Sequence, residues 1–338
     1  MAVVDIDRPV PGTGEALVDV SYCGICGSDL HMLGMPAEMV PAGLVLGHEF
    51  TGVIAGLGPA AGEWAVGDRV AVLPMVACGQ CYACRAGHAN LCEKGIDHGP
   101  GIGRQGGYAE SVSVPVGMLR RLPATVSDAD GALVEPLAVA VRAIRLSGAV
   151  PRDPVCVLGG GPIGVLTVAG LRALGFGRVA LVEPIPGRRD AVEWLGVPTV
   201  APDEAVTGLP PLLAGEPPAI VIDTTGHPSG APLAIALLPP AGRLTVAGLP
   251  DAPAAIDLAT LAVKEIVIRG SLAYDERDFA DALAHIAAGR IPCHQVITTI
   301  AGLEEAPSWL AGLSGGGTQQ VKVLLRPDRV AAAPAESA

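Results

Sequence analysis

The sequence is poor in aromatic and basic residues. Aromatic side chains make up only 3% of the 338 residues, so alanine, valine and leucine must fill most of the core that a 50% hydrophobic composition allows. Lys and Arg together number 22 against 34 Asp and Glu, which gives a net charge of -12. Because nucleic-acid binding depends on clustered basic side chains, this balance argues against nucleic acid as a partner.

Signals for secretion or membrane insertion are also lacking. The first seven residues contain neither the basic start nor the apolar stretch of a secretory signal, which favours a cytoplasmic location. Residues 154–171 carry no charge, but three glycines and Pro162 interrupt them, so we expect a buried strand, turn and helix and no membrane partner. Eight cysteines in a reducing compartment would rarely form disulfides, and their uneven clustering points to metal binding.

The length allows two domains at the usual ~100 to 200 residues each. Between residues 14 and 121, short Val-rich runs alternate with Gly- and Pro-rich turns, which is typical of a β-rich, barrel-like region. From about residue 154, apolar strands alternate with helical segments, which predicts a parallel α/β sheet. The strands predicted for this sheet cover residues 155–158, 179–182, 219–222, 243–247 and 266–268. A helix predicted at 278–288 is followed by strands at 296–300 and 321–325, which indicates that the second domain is inserted into the first.

Four cysteines form a compact C-x2-C-x2-C-x7-C pattern, and they are Cys78, Cys81, Cys84 and Cys92. Zinc favours a tetrahedral shell, and four thiolates with no open position make a closed structural site. An iron-sulfur cluster also uses four cysteines, but nothing else in the sequence indicates electron transfer. Zinc is therefore the favoured interpretation.

A second group of potential metal ligands lies upstream, in residues 23–31 and in the segment Gly47-His48-Glu49. Together they offer a thiolate, an imidazole and carboxylates at separated positions of a β-rich domain. A catalytic zinc uses such ligands and keeps one position open for water or substrate.

A glycine-rich turn follows the strand predicted at 155–158 and precedes an Ala- and Leu-rich helix, and it reads Gly159-Gly160-Gly161-Pro162-Ile163-Gly164. This G-x-G-x-x-G motif lets the backbone approach a pyrophosphate at a helix N-terminus. Glu183 lies about 20 residues further on, where an acid accepts hydrogen bonds from the ribose hydroxyls. A carboxylate there repels a 2'-phosphate and favours NAD over NADP, although Arg188 and Arg189 lie close behind and could counter it.

With these motifs in this order, the chain resembles the zinc-containing medium-chain dehydrogenase/reductase family over nearly its whole length. The pattern G-I-C-G-S-D-L-H, together with E-P-L around Glu135, is similar to the polyol, butanediol and threonine dehydrogenase branch. The resemblance implies an α/β fold in which a GroES-like catalytic domain covers residues 1–148 and 289–326, with a structural-zinc lobe at 76–94. A Rossmann domain would cover residues 149–288, and the Ala- and Pro-rich tail at 327–338 is predicted to be disordered.

The resemblance places Cys26, His48 and Glu135 as ligands of a catalytic zinc, with Glu49 as a direct or exchanging fourth ligand, and so implies two zinc ions per chain. Glu135 precedes Pro136 and would equally suit a helix N-terminus. Two neighbours of Cys26 receive other interpretations, Cys23 as an ordinary buried thiol and Asp29 as the acceptor that orients His48.

The implied activity is hydride transfer between NAD(H) and a secondary alcohol or polyol-type substrate, with zinc as the Lewis acid. Ser28 resembles the family's proton-relay hydroxyl and His31 its surface end, while a helix cap and a solvent-facing residue are the alternatives. Gly226 and Gly248 resemble turns along the nicotinamide half. The resemblance also implies a homodimer or homotetramer, in which residues 266–271 are a candidate for strand pairing between subunits.

Two departures limit the resemblance. The chain begins closer to Cys26 than family members usually do, so either an opening strand is absent or the start is misassigned. Arg142 stands where polyol-type members often carry His, so no particular polyol is predicted. Two other functions stay open: an epimerase or lyase that reduces and reoxidises bound NAD within one cycle, and a binding protein on a retired dehydrogenase scaffold. The intact Cys26, His48, Ser28 and glycine motif argue against the latter.

Overall fold

A computed structural model of the protein describes residues 1–95, 98–314 and 318–328, so residues 329–338 of the predicted tail lie outside the described residues. The strands are β1 (Glu15–Gly24), β2 (Glu49–Leu57), β3 (Arg69–Val72), β4 (Ser111–Pro115), β5 (Leu119–Arg121), β6 (Val155–Leu158), β7 (Val179–Val182), β8 (Thr199–Val200), β9 (Ile220–Asp223), β10 (Arg243–Val246), β11 (Val267–Gly270), β12 (Ile297–Gly302) and β13 (Lys322–Arg326). The helices are α1 (Gly27–Leu33), α2 (Tyr82–Arg85), α3 (Asp128–Gly131), α4 (Val134–Ser147), α5 (Pro162–Ala173), α6 (Pro186–Ala191), α7 (Ala205–Leu212), α8 (Gly230–Leu237), α9 (Leu258–Lys264), α10 (Glu276–Ala287), α11 (Cys293–Val296) and α12 (Ala306–Ser314). None of the helices in the described ranges combines the length and apolar character that crossing a bilayer requires.

The first sheet takes strands from both ends of the chain. Its order is β12, β13, β1, β2, β3, β5, and β4 pairs with β1 away from this path. Strand β1 is central, since it pairs antiparallel with β2, β4 and β13. The register sets Gly24 of β1 opposite both Glu49 of β2 and Leu324 of β13. The end of β1 is therefore the point where the segment before Cys26 meets two remote parts of the chain.

The second sheet is fully parallel, in the order β11, β10, β9, β6, β7, β8. Strands β6, β7 and β9 are buried along their whole length, as expected for parallel strands that helices cover on both faces. The direction of winding reverses between β6 and β9. Open α/β sheets bind ligands in the crevice at the carboxyl ends of such a pair, so the fold itself marks a binding position after Leu158 and Asp223.

Helix α4 lies in the core that joins the two sheets. Its buried apolar side chains belong to one cluster with Ala71 of the first-sheet strand β3, with Leu73 just after that strand, and with Val155 and Val157 of β6. The buried aromatic members of this cluster are Phe176, Tyr274 and Phe279, and the rest are mainly alanine, valine, leucine and isoleucine. Small aliphatic side chains thus fill this core, as the composition predicts.

Element boundaries agree with the sequence predictions in some places and differ in others. Strands β6 and β7 have the predicted bounds. Strand β11 begins one residue later than predicted, because α9 ends at Lys264 and Glu265 adopts a left-handed conformation with φ of 51°. Helix α10 begins before the predicted residue 278, because the side chain of Asp275 caps it by accepting a hydrogen bond from the Asp278 N–H. The two-residue strand β8 is too short to produce a recognisable pattern.

A buried charge cluster attaches helix α4 to the start of α10. Nη1 of Arg142 lies 3.1 Å from Oδ2 of Asp275 and 3.1 Å from Oδ2 of Asp278, and Nη2 donates to Oδ1 of Asn90 at 3.0 Å. Arg145 donates from Nε to Oδ1 of Asp278 at 2.8 Å. Burial would raise the pKa of Asp278, but hydrogen bonds from the two arginines lower it below its ordinary value. Arg142 therefore connects α4 to the four-cysteine lobe, through Asn90, and to α10, through Asp278.

Removing the buried arginine should cost more stability than removing its partly exposed neighbour. We expect Arg142→Met to lower the free energy of unfolding by about 3 kcal/mol, because it removes a buried cation from beside Asp278, to which Arg145 still donates, and also removes the donor to Oδ1 of Asn90. Arg145→Met should cost at most about 1 kcal/mol, because its side chain is 36% exposed and solvent screens the pair. Urea unfolding followed by circular dichroism measures the free energy of unfolding of both variants. Equal losses would contradict the expectation that the buried arginine contributes more stability than the partly exposed one.

Candidate metal and dinucleotide sites

Cys26, His48 and Glu49 converge at the end of β1, where their potential ligand atoms all lie within 4.8 Å of one another. Antiparallel pairing of β1 with β2 brings these fragments together, since Glu49 opposes Gly24. Gly47 has φ of 93°, a conformation that side chains rarely adopt, and any Cβ there would collide with the ring of Tyr108. The glycine therefore permits the turn that delivers His48 to the cluster.

The ring of His48 lies between Asp29 and Ser28. Its Nδ1 is 3.6 Å from Oδ1 of Asp29, and its Nε2 is 3.4 Å from Oγ of Ser28. The other oxygen of Asp29 accepts hydrogen bonds from the Tyr108 hydroxyl at 2.6 Å and from the Cys26 N–H at 2.9 Å. A carboxylate beside Nδ1 is the usual device that orients an imidazole whose Nε2 binds a metal.

The charges and donor types at this cluster fit a zinc ion. Nδ1 of His48 and Oδ1 of Asp29 are buried and have no hydrogen-bond partner. Burial alone would lower the pKa of His48, but the Cys26 thiolate and Asp29 raise it well above its usual value. The cluster thus attracts positive charge, and a thiolate, an imidazole and a carboxylate are donors that zinc accepts.

Glu135 lies at the margin of this cluster, in the first turn of α4, and is 9% exposed. It is not in the group of described residues whose ligand atoms lie within 4.8 Å of one another. Burial raises the pKa of Glu135 to about 7; the charge of His48 lowers it and that of Glu49 raises it. Its position at the start of a helix fits the N-terminus interpretation as well, so its ligand role stays a prediction.

The two predicted relay residues lie on helix α1, and both are exposed to solvent. Ser28 points its hydroxyl toward the ring of His48, whereas His31 lies in the last turn of the helix. Cys23, by contrast, is fully buried, and burial raises the pKa of its thiol well above the ordinary value. It packs against the turn glycines Gly47 and Gly107 and contributes no atom to the metal cluster.

The four cysteines of the lobe also converge, with all Sγ atoms within 4.8 Å of one another. Backbone N–H groups of Gln80 and Cys81 donate to Sγ of Cys78 at 3.4 Å, and the hydrogen bond from Gln80 is the main cause that lowers the pKa of this thiol to about 6. Burial raises the pKa of Cys84 to about 12, so metal binding must displace a proton there. Four sulfur donors fit a closed tetrahedral zinc site.

The glycine motif forms the turn between β6 and α5. Gly159 has φ of 97°, and a Cβ on Gly164 would collide with the Gly159 carbonyl oxygen, so both positions require glycine. A Cβ on Gly161 would meet no protein atom within 4 Å, which leaves this part of the turn open. Pro162 is the first residue of α5, followed by Ile163.

Glu183 lies at the end of β7 and faces this turn. Its Oε2 accepts a hydrogen bond from the Gly160 N–H at 2.6 Å, and its Oε1 accepts one from the Ile185 N–H at 2.8 Å. Arg188 donates from Nε to the carbonyl of Thr318 at 2.8 Å, and Arg189 donates to the carbonyl of Glu183. Both arginines thus have protein partners close to the acid.

Two motif residues, Gly159 and Gly161, line one cavity of about 240 Å³ with Glu183 and Arg188, and its wall also includes Thr224, Thr225, His227 and Ser229. Sequence reasoning missed these last four residues, although their place after β9 could have indicated them. Gly226 and Gly248 do not line this cavity. They pack against each other beyond β9 and β10, since a Cβ on Gly248 would collide with the Gly226 backbone. A larger cavity of about 450 Å³ lies against Ile6 and His98, away from every predicted site residue.

Two sequence families match separate parts of the chain. The alcohol dehydrogenase GroES-like domain matches residues 12–124, and the zinc-binding dehydrogenase domain matches residues 162–288. The 2-dehydro-3-deoxy-L-galactonate 5-dehydrogenase of Pseudoalteromonas atlantica is 32% identical over 330 residues, which cover 96% of this chain and 94% of that protein. The chain belongs to the zinc-containing medium-chain dehydrogenase/reductase family.

Solved structures of similar proteins share the fold. The 2R,3R-butanediol dehydrogenase of Bacillus subtilis is 31% identical with a TM-score of 0.85, and 96% of each chain is covered. An alcohol dehydrogenase of Escherichia coli CFT073, solved with NADH, is 28% identical with a TM-score of 0.86, and 96% of this chain and 95% of that chain are covered. The α/β fold class implied by the sequence motifs is confirmed.

A buried lysine beside the metal cluster was not found by sequence reasoning. Lys322, at the start of β13, is 1% exposed and forms an ion pair with Glu49, which is also 1% exposed. Its Nζ also donates to the carbonyl of Ile25 at 2.8 Å. Gly24 leaves room for this pair, because a Cβ there would collide with Oε2 of Glu49. The sequence signal is weak, since Lys322 simply precedes the apolar run of β13.

The ion pair between Lys322 and Glu49 predicts that Lys322→Met will destabilise the metal-free protein more than the zinc-bound protein. In the metal-free protein, Glu49 would stay buried without a cation, and breaking such a pair costs about 3 to 5 kcal/mol. Bound zinc should supply part of the missing charge and reduce the loss. Thermal unfolding of zinc-loaded and chelator-treated protein measures the difference, with Lys322→Met/Glu49→Gln as the matched variant that should restore stability. A loss of equal size in both states would contradict the prediction.

Proposed function

We propose that the protein is a zinc-dependent dehydrogenase that transfers a hydride between NAD(H) and a small secondary alcohol of the diol or polyol class. The observation that carries this proposal is the convergence of the Cys26, His48 and Glu49 ligand atoms within 4.8 Å in a chain that also holds an intact glycine turn. A dehydrogenase of this family needs both a metal cluster and a dinucleotide turn. The names of the Pseudoalteromonas and Bacillus relatives, which denote oxidoreductases of hydroxylated small molecules, support the substrate class.

When bound, zinc would acidify the alcohol and the nicotinamide would accept the hydride. Cys26 and His48 would supply the sulfur and nitrogen donors, and Asp29, 3.6 Å from Nδ1, would orient the ring of His48. Oγ of Ser28, 3.4 Å from Nε2 of His48, would take the alcohol proton. His31 on the exposed face of the same helix would receive this proton near bulk water. Glu135 and Glu49 are the candidate carboxylate ligands.

We propose a second zinc in the four-cysteine lobe, which gives two zinc ions per chain. The lobe offers no open position, so its ion would be structural. The lobe is attached to α4 by the hydrogen bond from Arg142 to Asn90, so a structural ion that fixes the lobe would also preserve this contact. The GroES-like domain would cover residues 1–148 and 289–326, and the Rossmann domain residues 149–288.

We propose NAD as the preferred cofactor. The carboxylate of Glu183 lines the cavity after β6 and would repel a 2'-phosphate. Gly159, Gly161, Pro162, Ile163 and Gly164 would hold the pyrophosphate, while Gly226 and Gly248 would shape the nicotinamide half. Arg188, whose Nε binds the Thr318 carbonyl, is less available to a phosphate than a free arginine.

We also propose a homodimer or homotetramer formed through β11. This strand is the edge of the second sheet, all four of its residues are exposed, and Val267 is 57% exposed. Unpaired apolar edge strands are templates for pairing with another chain. A cytoplasmic location suits the free thiols, which a reducing compartment preserves.

The activity is tested by following the absorbance of reduced cofactor with diols, polyols, secondary alcohols and threonine. We expect turnover with members of this panel and two zinc ions per wild-type chain. Cys26→Ser should lose one zinc and at least about 100-fold in kcat/KM, because Lewis-acid stabilisation is worth several kcal/mol. Cys23→Ala is the matched control and should retain both. Substrate consumption without NADH accumulation would indicate an epimerase or lyase instead, and a wild-type chain with one zinc and no turnover would indicate a binding protein.

Cofactor preference is tested by measuring kcat/KM with NAD and NADP in parallel. We expect wild type to prefer NAD and Glu183→Ala to lower the NAD:NADP ratio by about 10-fold or more, because each ~1.4 kcal/mol of removed repulsion is a factor of ten. Arg188→Ala should change the ratio by less than about twofold, or ~0.4 kcal/mol. Loss of NADP use in Arg188→Ala would show instead that this arginine binds the phosphate.

A further inference from the structure

A buried tyrosine that follows the second sheet's edge strand β11 contacts Glu135 at the margin of the metal cluster. Tyr274 lies on the short segment between β11 and α10 and is 3% exposed. Its hydroxyl donates to Oε1 of Glu135 at 2.7 Å. The pair is separated by 139 positions in sequence, so only the folded chain brings the two groups together.

The two carboxylates at the cluster have different partners. Glu49 forms an ion pair with the ammonium group of Lys322, which compensates its charge. Glu135 receives a hydrogen bond from a neutral phenol, which fixes Oε1 but brings no positive charge to compensate the carboxylate. An incoming cation is therefore attracted more strongly to Glu135 than to Glu49, provided that the Glu135 side chain is already held toward the cluster.

The segment that carries Tyr274 is fixed by contacts on both sides. Nδ2 of Asn90 donates to the carbonyl of Leu272 at 2.9 Å, and Arg142 binds Asp275 at 3.1 Å. Ala273 adopts a left-handed conformation with φ of 49°, which turns the chain just before the tyrosine. The ring of Tyr274 packs on Phe279 with centroids 5.8 Å apart. These contacts restrict the ring, so its hydroxyl has a defined position.

We propose that Tyr274 is a positioning residue that holds Glu135 at the catalytic metal site, so that its hydroxyl strengthens metal binding there and not in the lobe. The proposal rests on the proposed function, because it requires a metal at Cys26 and His48. Its physical basis is preorganisation: a ligand held in place by a buried hydrogen bond does not have to be ordered when the metal arrives.

The test measures zinc affinity at each site in the full-length protein by competition with a chromophoric chelator. The Cys26→Ser and Cys84→Ser variants assign the two ions. Tyr274→Phe should weaken the Cys26-site zinc by about 10- to 100-fold, the range for lost outer contacts of a metal ligand, and leave the lobe zinc unchanged. Tyr82→Phe is the matched control, because this phenol is 76% exposed and its loss should change neither affinity.

A double-mutant cycle then separates positioning from a general loss of structure. In the Glu135→Ala background, Tyr274→Phe should have no further effect on zinc affinity, since the group that it positions is gone. An equal effect in both backgrounds, or weakened binding at both metal sites alike, would overturn the proposal. If Cys26→Ser loses no zinc relative to wild type, the proposed function itself fails. If Cys26→Ser loses zinc but Tyr274→Phe binds it as tightly as wild type, only the role of Tyr274 fails.

Discussion

The antiparallel pairing of β1 with β2 is the constraint on which the candidate metal site depends. It sets Gly24 opposite Glu49 and so places the segment that begins at Cys26 beside His48. A slip of one residue in this register would turn every side chain of β2 to the other face. Pairing on several strands fixes the register, because β1 is bonded to β2, β4 and β13 at once. The strand pairing therefore determines where Cys26, His48 and Glu49 meet.

This geometry concentrates buried charge. Asp29, Glu49 and Glu135 are all at most 9% exposed; Lys322 forms an ion pair with Glu49, and His48 lies beside Asp29. Burying carboxylates without compensation is costly, so the cluster is more favourable with a further cation than without one. Cys26 and Asp29 favour the protonated form of His48, so zinc must displace that proton when it binds. Stability and metal binding are coupled at this point of the fold.

The parts of the site that were predictable from sequence are those whose residues lie close together in the chain. The four lobe cysteines span 15 positions and the glycine turn six, so the spacing of these residues in the sequence is enough to predict what they bind. Lys322, Tyr274 and Asn90 belong to no motif, because each reaches its partner across more than 130 positions. Their roles arise from strand order and helix packing, which single-sequence patterns do not determine. Glu135 is intermediate, since E-P-L identifies a helix start and a possible ligand equally well.

Helix α4 contacts Tyr274 near the metal cluster, the four-cysteine lobe and helix α10. Glu135 and Arg142 are seven positions apart, about two turns, so they lie on the same side of the helix at different heights. The first meets Tyr274 at the metal cluster, and the second binds Asn90 of the lobe and Asp278 of α10. Between them, Leu137 and Val141 pack into the core that contains β6, the strand before the glycine turn. Because one helix makes all these contacts, the packing of α4 fixes the place of Glu135 relative to the lobe, to α10 and to the strand before the glycine turn.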